Sequence, residues 1–312
     1  SARDAQVPRA RGPRRGKSQA SDPFRARNRP VWSASRGSRN VHCPILLSLE
    51  KIMRIATWNV NSVRQRIEHL TAWLKETHPD VCCLQELKCM DDAFPRLEIE
   101  SLGYHVETLG QKTFNGVAIL SKYRIDDVVR GLPGDESDEQ ARFIEIGIST
   151  DKGALRVASI YAPNGNPLGT DKFPYKLGFL DRLIRRAREH LANEEDFIFA
   201  GDYNIIPMPE DAENPAQWVN DALFQPESRA KWRELMSLGL TDAIRATNAN
   251  KQIYTFWDYQ AGAWQKNNGI RIDHLLLSPL CADRLAGTSI DKHVRGWEKP
   301  SDHVPVRIDI NL

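Results

Sequence analysis

The sequence has no long hydrophobic run and few cysteines, and both absences narrow the class of protein. Hydrophobic residues make up 41% of the 312 residues. No apolar run approaches the roughly 20 residues of a membrane-spanning helix, so we expect no membrane partner. The five cysteines show no CxxC or Cys/His spacing typical of zinc sites, and their number is odd. A reducing compartment is the simplest inference.

Two widespread catalytic signatures are also missing. The chain has no glycine-rich P-loop, so nucleotide cradling lacks support, and no GxSxG motif of the kind that carries a nucleophilic serine. An acid next to His303 could belong to a serine-type triad, but no serine is predicted at a strand-to-helix elbow. The polar residues of this chain therefore need an explanation other than a P-loop or a catalytic serine.

The small net charge of +2 hides an asymmetry. Residues 1–52 contain 12 of the 43 Lys and Arg residues and only 3 of the 41 Asp and Glu residues, a charge of +9, whereas residues 53–312 carry −7. The acidic body does not by itself predict nucleic-acid binding. A polyanion would have to be held by a local basic patch, or by metal ions that offset acidic side chains.

Residues 1–52 differ from the rest of the chain. They are rich in Arg, Ser, Pro and Gly and have no hydrophobic periodicity, which predicts a disordered basic extension. The same composition is typical of an organelle transit peptide. Met53 is a candidate initiator at the predicted start of the folded domain. We therefore favour a segment foreign to the natural protein over an organelle transit peptide.

Residues 53–312 contain two similar strand–helix–strand units, and no second domain is predicted. In the first, a strand at 54–58 leads through Ser62, a predicted helix cap, into a helical pattern at 63–74 and a strand at 81–84. In the second, a strand at 155–161 precedes a helix at 173–191 and a strand at 197–200. We interpret the pair as a weak internal duplication that builds two sheets covered by helices. Further strands are predicted at 117–120, 143–148, 270–277 and 304–310, and a helix at 229–238.

Polar side chains recur at the ends of the predicted strands, where ligand sites are commonly built. They are Asn59, Asn61, Glu86, Tyr161, Asn164, Asp202, Asn204, Asp273, Asp302 and His303. Each has a structural alternative: Asn59 suits a turn, Asp202 a helix cap, and Asp273 a partner for Arg271. As a set of carboxylates and amides without thiolates, they favour a hard cation, Mg²⁺ or Mn²⁺. Metal-assisted hydrolysis of a phosphate ester is the reaction class that this set predicts.

The aromatic and basic residues narrow the class of substrate that the site could bind. Phe256 and Trp257 are adjacent, so on a strand they point to opposite faces and only one need belong to the core. An exposed ring near a phosphate site fits a sugar or an unstacked nucleotide. Among many basic residues, Lys88, Arg142 and Lys172 are the predicted contacts to backbone phosphates.

Eight motifs, in order and with matching spacing, resemble the exonuclease III family of apurinic/apyrimidinic (AP) endonucleases, part of the endonuclease/exonuclease/phosphatase superfamily. They are Thr57-Trp58-Asn59-Val60-Asn61, Leu84-Gln85-Glu86, Asn115-Gly116-Val117-Ala118, Tyr161-Ala162-Pro163-Asn164-Gly165, Gly201-Asp202-Tyr203-Asn204, Tyr254-Thr255-Phe256-Trp257, Arg271-Ile272-Asp273 and the stretch from Trp297 to Val306. The segment from Trp218 to Leu240 looks more like bacterial members.

The resemblance implies a four-layer α/β sandwich in which two packed mixed sheets are flanked by helices. It also implies a metal site at Glu86, aided by the residues Asn59, Asn61, Asp202, Asn204, Asp302 and His303. Asp202 is expected to activate water, Asn204 and Tyr161 to contact the phosphate, and His303, paired with Asp273, to stabilise the developing charge. Phe256, Trp257 and Asn164 would meet the substrate.

The implied reaction is metal-dependent cleavage of DNA on the 5′ side of an abasic site, together with removal of 3′ nucleotides or 3′ blocking groups. The implied partner is double-stranded DNA with abasic sites or damaged or recessed 3′ ends, bound by a monomer. Two departures from the family pattern are Leu87, where a small polar residue is expected, and Asn61, which is aspartate in some relatives. Two alternatives remain at this stage: a phosphoesterase acting on an inositol phosphate or lipid, and a non-catalytic DNA-binding module.

Overall fold

The computed structural model describes residues 51–249 and 252–312. The predicted basic extension falls outside the described residues except for its last two, Lys51 and Ile52. Among the helices of the described ranges, none combines the length and the apolar character that a bilayer span requires.

Twelve strands and six helices lie within the described ranges. The strands are β1 (Ile52–Asn59), β2 (Val81–Gln85), β3 (His105–Leu109), β4 (Val117–Ser121), β5 (Ile125–Arg130), β6 (Phe143–Thr150), β7 (Gly153–Tyr161), β8 (Phe197–Asp202), β9 (Thr241–Asp242), β10 (Asp273–Leu277), β11 (Leu285–Ile290) and β12 (Val306–Asn311). The helices are α1 (Ile67–Thr77), α2 (Arg96–Glu100), α3 (Lys172–Ala192), α4 (Pro226–Ser237), α5 (Ala243–Thr247) and α6 (Pro279–Asp283).

The strands form two six-stranded mixed sheets with matching topology. The first sheet has the order β11-β12-β1-β2-β4-β3, and the second has β5-β6-β7-β8-β10-β9. Each sheet is built around one parallel pair, β1 with β2 and β7 with β8, and antiparallel strands lie on either side. The predicted duplication is therefore visible in the topology. This topology places the carboxyl ends of β1 and β2 in the first sheet, and of β7 and β8 in the second, at corresponding positions.

Apolar residues pack the layers together. Between the sheets, Ile55 and Cys83 of the first belong to the same buried cluster as Val157 of the second. Trp73 of α1 packs on the outer face of the first sheet, and Phe179 of α3 on the outer face of the second. The result is the predicted four-layer order of helix, sheet, sheet and helix.

Two predicted boundaries were wrong because of distant backbone contacts. Ser62 does not cap α1, which begins five residues later. Its φ of 84° is left-handed, and its N–H donates to the Glu86 carbonyl oxygen at 2.7 Å. The predicted strand at 270–277 begins at Asp273, because Ile270 pairs with Phe256 rather than with the sheet.

Arg271 anchors the start of β10 through buried ion pairs. Its guanidinium group donates to Asp211 at 2.7 Å and to Asp242 at 2.7 Å, and all three side chains are buried. We expect Arg271→Met to lower the free energy of unfolding by about 3–5 kcal/mol, because the buried Asp242 carboxylate loses its counter-charge and Asp211 loses one of two. Denaturant unfolding measures this effect. The control is Arg188→Met, which breaks an exposed pair with Glu234 and should cost less than about 1 kcal/mol.

Candidate active site

Four strands of the two parallel pairs end at one edge of the sheets and carry polar side chains there. Asn59 ends β1, Glu86 follows β2, Tyr161 ends β7 and Asp202 ends β8. β10 runs antiparallel to β8, and its first residue, Asp273, lies opposite Asp202 in the register. The topology thus explains why residues far apart in sequence meet.

The Glu86 carboxylate is surrounded by donors. Its Oε1 accepts from the Tyr161 hydroxyl at 2.9 Å and from Asn59 Nδ2 at 2.8 Å, and the Lys88 ammonium lies 2.8 Å from Oε2. Burial acts to raise the pKa of Glu86, but the charge of Lys88 and the bond from Asn59 lower this pKa below its ordinary value. Burial also raises the pKa of Tyr161, so its hydroxyl remains a hydrogen-bond donor.

Asp202, His303 and Asp273 form a buried charged group. His303 Nδ1 lies 2.9 Å from Asp273 Oδ2, and Nε2 lies 3.7 Å from Asp202 Oδ2. Burial acts to lower the pKa of His303, but the charges of Asp273 and Asp202 outweigh it and raise this pKa. Burial raises the pKa of Asp202, against the opposing charge of His303. Asn59 Nδ2 donates to Asp202 at 3.0 Å, which connects this group to Glu86.

Asn204 lies beside Asp202 in a backbone that is left-handed, with φ of 49°. Its N–H donates to Asp202 Oδ1 at 2.9 Å, its Nδ2 donates to the Ala162 carbonyl at 2.9 Å, and its Oδ1 accepts from Asn164 Nδ2 at 3.2 Å. Beneath them, the buried Lys176 ammonium donates to the carbonyl oxygens of Asn164 and Asn204. Burial lowers the pKa of Lys176 to about 7.

The donor atoms fit a divalent cation. Glu86 and Asp202 offer carboxylate oxygens, and these atoms and a ring nitrogen of His303 lie within 4.8 Å of one another. Asn61 extends the oxygen-rich region, since its Nδ2 donates to Asp302 at 3.0 Å. Positive charge is already stabilised here, because the Lys88 ammonium contacts both Glu86 and, at 2.6 Å, Asn61 Oδ1. Carboxylate and amide oxygens are the ligands that hard cations prefer.

A cavity of about 360 Å³ opens above these groups. Its polar lining comes from the strand-end residues together with Asp221 and Asp258. The apolar wall comprises Trp218, Leu223, Phe256 and Ile272. The Phe256 ring lies edge-on to the His303 ring, with centroids 4.9 Å apart. The cavity therefore combines a polar surface rich in carboxylates with an apolar surface suited to a sugar or base.

The structure brings most of the predicted site residues together. Eight line the cavity: Glu86, Tyr161, Asn164, Asp202, Asn204, Phe256, Asp302 and His303. Asn59, Asn61, Lys88 and Asp273 bond to these residues, and the Arg142 guanidinium stacks 4.8 Å above the Tyr161 ring. Lys172 is exposed at the start of α3 and does not line the cavity.

The prediction that Trp257 lines the substrate pocket was wrong. Trp257 is fully buried, packs edge-on against Trp264 and donates from Nε1 to Asn267 at 3.3 Å. Only Phe256, on the opposite face of this segment, reaches the cavity. The alternation was predicted correctly, but which ring faced the core depended on contacts with Trp264 that the sequence does not reveal.

Several cavity residues were not singled out from the sequence. Trp218 and Leu223 precede the predicted helix at 229–238, and Ile272 lies in the predicted strand at 270–277. Lys176, which lies beneath the cavity, carried a usable signal, because it lies on the apolar stripe of α3 with Leu180 and shares its burial. A charged residue on an otherwise apolar stripe needs an internal partner.

Comparison with known proteins gives consistent matches over the same part of the chain. A model of the endonuclease/exonuclease/phosphatase family matches residues 56–303. The chain is 36% identical over 263 residues to exodeoxyribonuclease III of Haemophilus influenzae, covering 81% of this chain and 98% of that protein.

Two solved structures are similar over 83% of this chain and 100% of their own. One is an AP endonuclease from Archaeoglobus fulgidus, with 35% identity and a TM-score of 0.79. The other is the 3′ phosphatase NExo from Neisseria bound to a product DNA hairpin, with 36% identity and a TM-score of 0.80. The family match over residues 56–303 spans all of the strand-end residues that form the site.

Proposed function

The chain belongs to the endonuclease/exonuclease/phosphatase family, and we infer that it is a metal-dependent DNA repair phosphodiesterase of the exonuclease III type. It cleaves the DNA backbone 5′ to abasic sites and removes 3′ nucleotides or 3′ blocking groups. The observation that carries this inference is the cavity in which Glu86, Asp202 and His303 face an apolar wall.

Glu86, with Asn59, Asn61 and Asp302 around it, is the proposed holder of a Mg²⁺ or Mn²⁺ ion, which when bound polarises a phosphoryl oxygen. Asp202 accepts the proton of the attacking water. Its raised pKa suits this role, because a stronger base takes a proton more readily near neutral pH. Asn59 holds the Asp202 carboxylate in register with Glu86.

Three donors stabilise the charge that develops on the phosphate. His303 stays protonated between Asp273 and Asp202 and faces the cavity. Tyr161 and Asn204 present a hydroxyl and a carboxamide from the ends of β7 and β8. Donors fixed in advance stabilise a transition state without reorganising during the reaction.

The substrate's sugar is proposed to lie against the apolar wall. Trp218 and Phe256 offer rings there, against which the apolar face of a deoxyribose without a base can pack. Lys88, Arg142 and Lys172 are proposed to contact backbone phosphates. We propose that the protein acts as a monomer in the bacterial cytoplasm.

We expect Trp218→Ala to raise KM for an abasic duplex about tenfold, because the apolar surface that the ring offers to the sugar is lost. The kcat should stay within about threefold, since no described hydrogen bond joins Trp218 to the catalytic side chains. Steady-state kinetics on an abasic duplex measures both constants. Trp218→Phe should recover most of the loss. Val219→Ala is the control, since Val219 is exposed and outside the cavity.

Matched oligonucleotide duplexes test the proposed function. One carries a single abasic analogue, one a 3′-phosphate and one a recessed 3′ end, and an inositol phosphate is assayed in parallel. We expect strand incision 5′ to the abasic site and release of the 3′ group. Intact DNA strands beside phosphate released from the inositol phosphate would reverse the assignment.

A further inference from the structure

Lys176 is a buried basic residue of α3, in the second strand–helix–strand unit. Its side chain is fully buried, and no carboxylate oxygen of the described residues lies within 4.0 Å of its Nζ. An ammonium group without an ion-pair partner is costly to bury, and here its bonds to main-chain oxygens offset part of that cost. What this lysine contributes therefore depends on which oxygens it binds.

The acceptors of Lys176 belong to the catalytic loops. Nζ donates to the main-chain oxygen of Asn164 at 3.1 Å and to that of Asn204. These two residues follow β7 and β8, and their side chains are bonded to each other at 3.2 Å on the cavity side. The loops are therefore joined by the two carboxamides, by the bond from Asn204 Nδ2 to the Ala162 carbonyl oxygen and, from beneath, by a charge-assisted donor. Bonds from a charged donor are about twice as strong as neutral ones.

The neighbouring backbone leaves room for this arrangement. Gly165, directly after Asn164, has a left-handed φ of 91°. A Cβ atom at this position would lie 2.8 Å from Lys176 Cδ and 3.0 Å from Ala222 Cβ. A glycine is thus required both by the turn and by the passage of the lysine stem.

We propose that Lys176 is a positioning residue of the catalytic centre, which holds the Asn164 and Asn204 loops together so that their carboxamides face the scissile phosphate. The proposal rests on the proposed function and adds a residue to its machinery. Lys176 does not touch the substrate. It acts through Asn204, whose N–H also bonds to Asp202.

A Lys176→Met variant separates positioning from stability. We expect its Tm to stay close to that of the wild type, because removal of an unpaired buried charge offsets the loss of a donor to two main-chain oxygens. We expect kcat on the abasic duplex to fall between tenfold and a hundredfold, since small displacements of aligned groups are costly for rate. KM should remain within about threefold.

Lys75→Met is the matched control, because Lys75 is exposed on α1 and makes no described bond. Lys176→Gln supplies a second variant that keeps a donor but removes the charge, and it should show an intermediate kcat. A kcat within twofold of the wild type in Lys176→Met would overturn the proposal. So would a Tm loss in both variants that tracks the loss of activity, since that pattern marks a purely structural residue.

If the proposed function is wrong, the wild type itself will leave the abasic and 3′-phosphate duplexes intact, whereas a wrong positioning role affects only the variants. The positioning role is then decided by the side-chain amide signals of Asn164 and Asn204 in a two-dimensional NMR spectrum. The proposal requires these signals to shift in Lys176→Met and not in Lys75→Met, and unchanged signals would refute it.

Discussion

Asp202→Asn lowers kcat on an abasic duplex by about 10³-fold, because the amide cannot accept a proton from the attacking water. Much of the local geometry survives the exchange, since an asparagine oxygen still accepts from the Asn204 N–H. DNA binding should be retained or tightened, because a negative charge next to the phosphate is removed. Single-turnover incision measures the rate, and a filter-binding assay measures the affinity.

Asp283→Asn controls for the exchange itself, since Asp283 is exposed at the end of α6. It should leave both the rate and the affinity unchanged. If the Asp202→Asn enzyme turned over at nearly the wild-type rate, Asp202 would not be the group that accepts the proton of water.

Glu86→Gln is expected to lower the rate at a limiting metal concentration on the order of 10²-fold, because the site loses the negative charge that stabilises a divalent cation. The Tyr161 hydroxyl and Lys88 also lose a charged acceptor in this variant. Higher metal concentrations should restore part of the activity, in contrast to Asp202→Asn. Rates measured across a Mg²⁺ titration give the half-maximal metal concentration.

Glu98→Gln on α2 is the matched control, because Glu98 is exposed and distant in sequence from the strand ends. Its half-maximal metal concentration should equal that of the wild type. The same value for Glu86→Gln would show that Glu86 does not hold the metal.

The strand-end residues were predictable because parallel strands share a direction. Asn59 and Glu86 follow neighbouring strands of one sheet, and Tyr161 and Asp202 end neighbouring strands of the other. Hydrophobic patterns locate such strands, and their ends then fall at one edge. How the two sheets face each other depends on the packing of many apolar side chains, which no local pattern encodes.

The errors share one physical origin, namely contacts with residues distant in sequence. The start of α1 is displaced because Ser62 bonds to the backbone of Glu86. Trp257 is buried by Trp264 rather than by its own strand pattern. Lys176 shows the same limit, since its position on an apolar stripe marks it as unusual, whereas its acceptors at Asn164 and Asn204 come from separate loops.

Metal dependence of abasic-site incision by the wild type is the most direct measurement of the central claim, that distant side chains converge around a divalent ion to hydrolyse DNA. The enzyme is dialysed against EDTA and assayed on a duplex with one abasic analogue, with and without added Mg²⁺ or Mn²⁺. We predict a single cut 5′ to the abasic site, with a 3′-hydroxyl end, that depends on the added ion. Equal incision in EDTA, or an intact strand with either ion, would contradict the account.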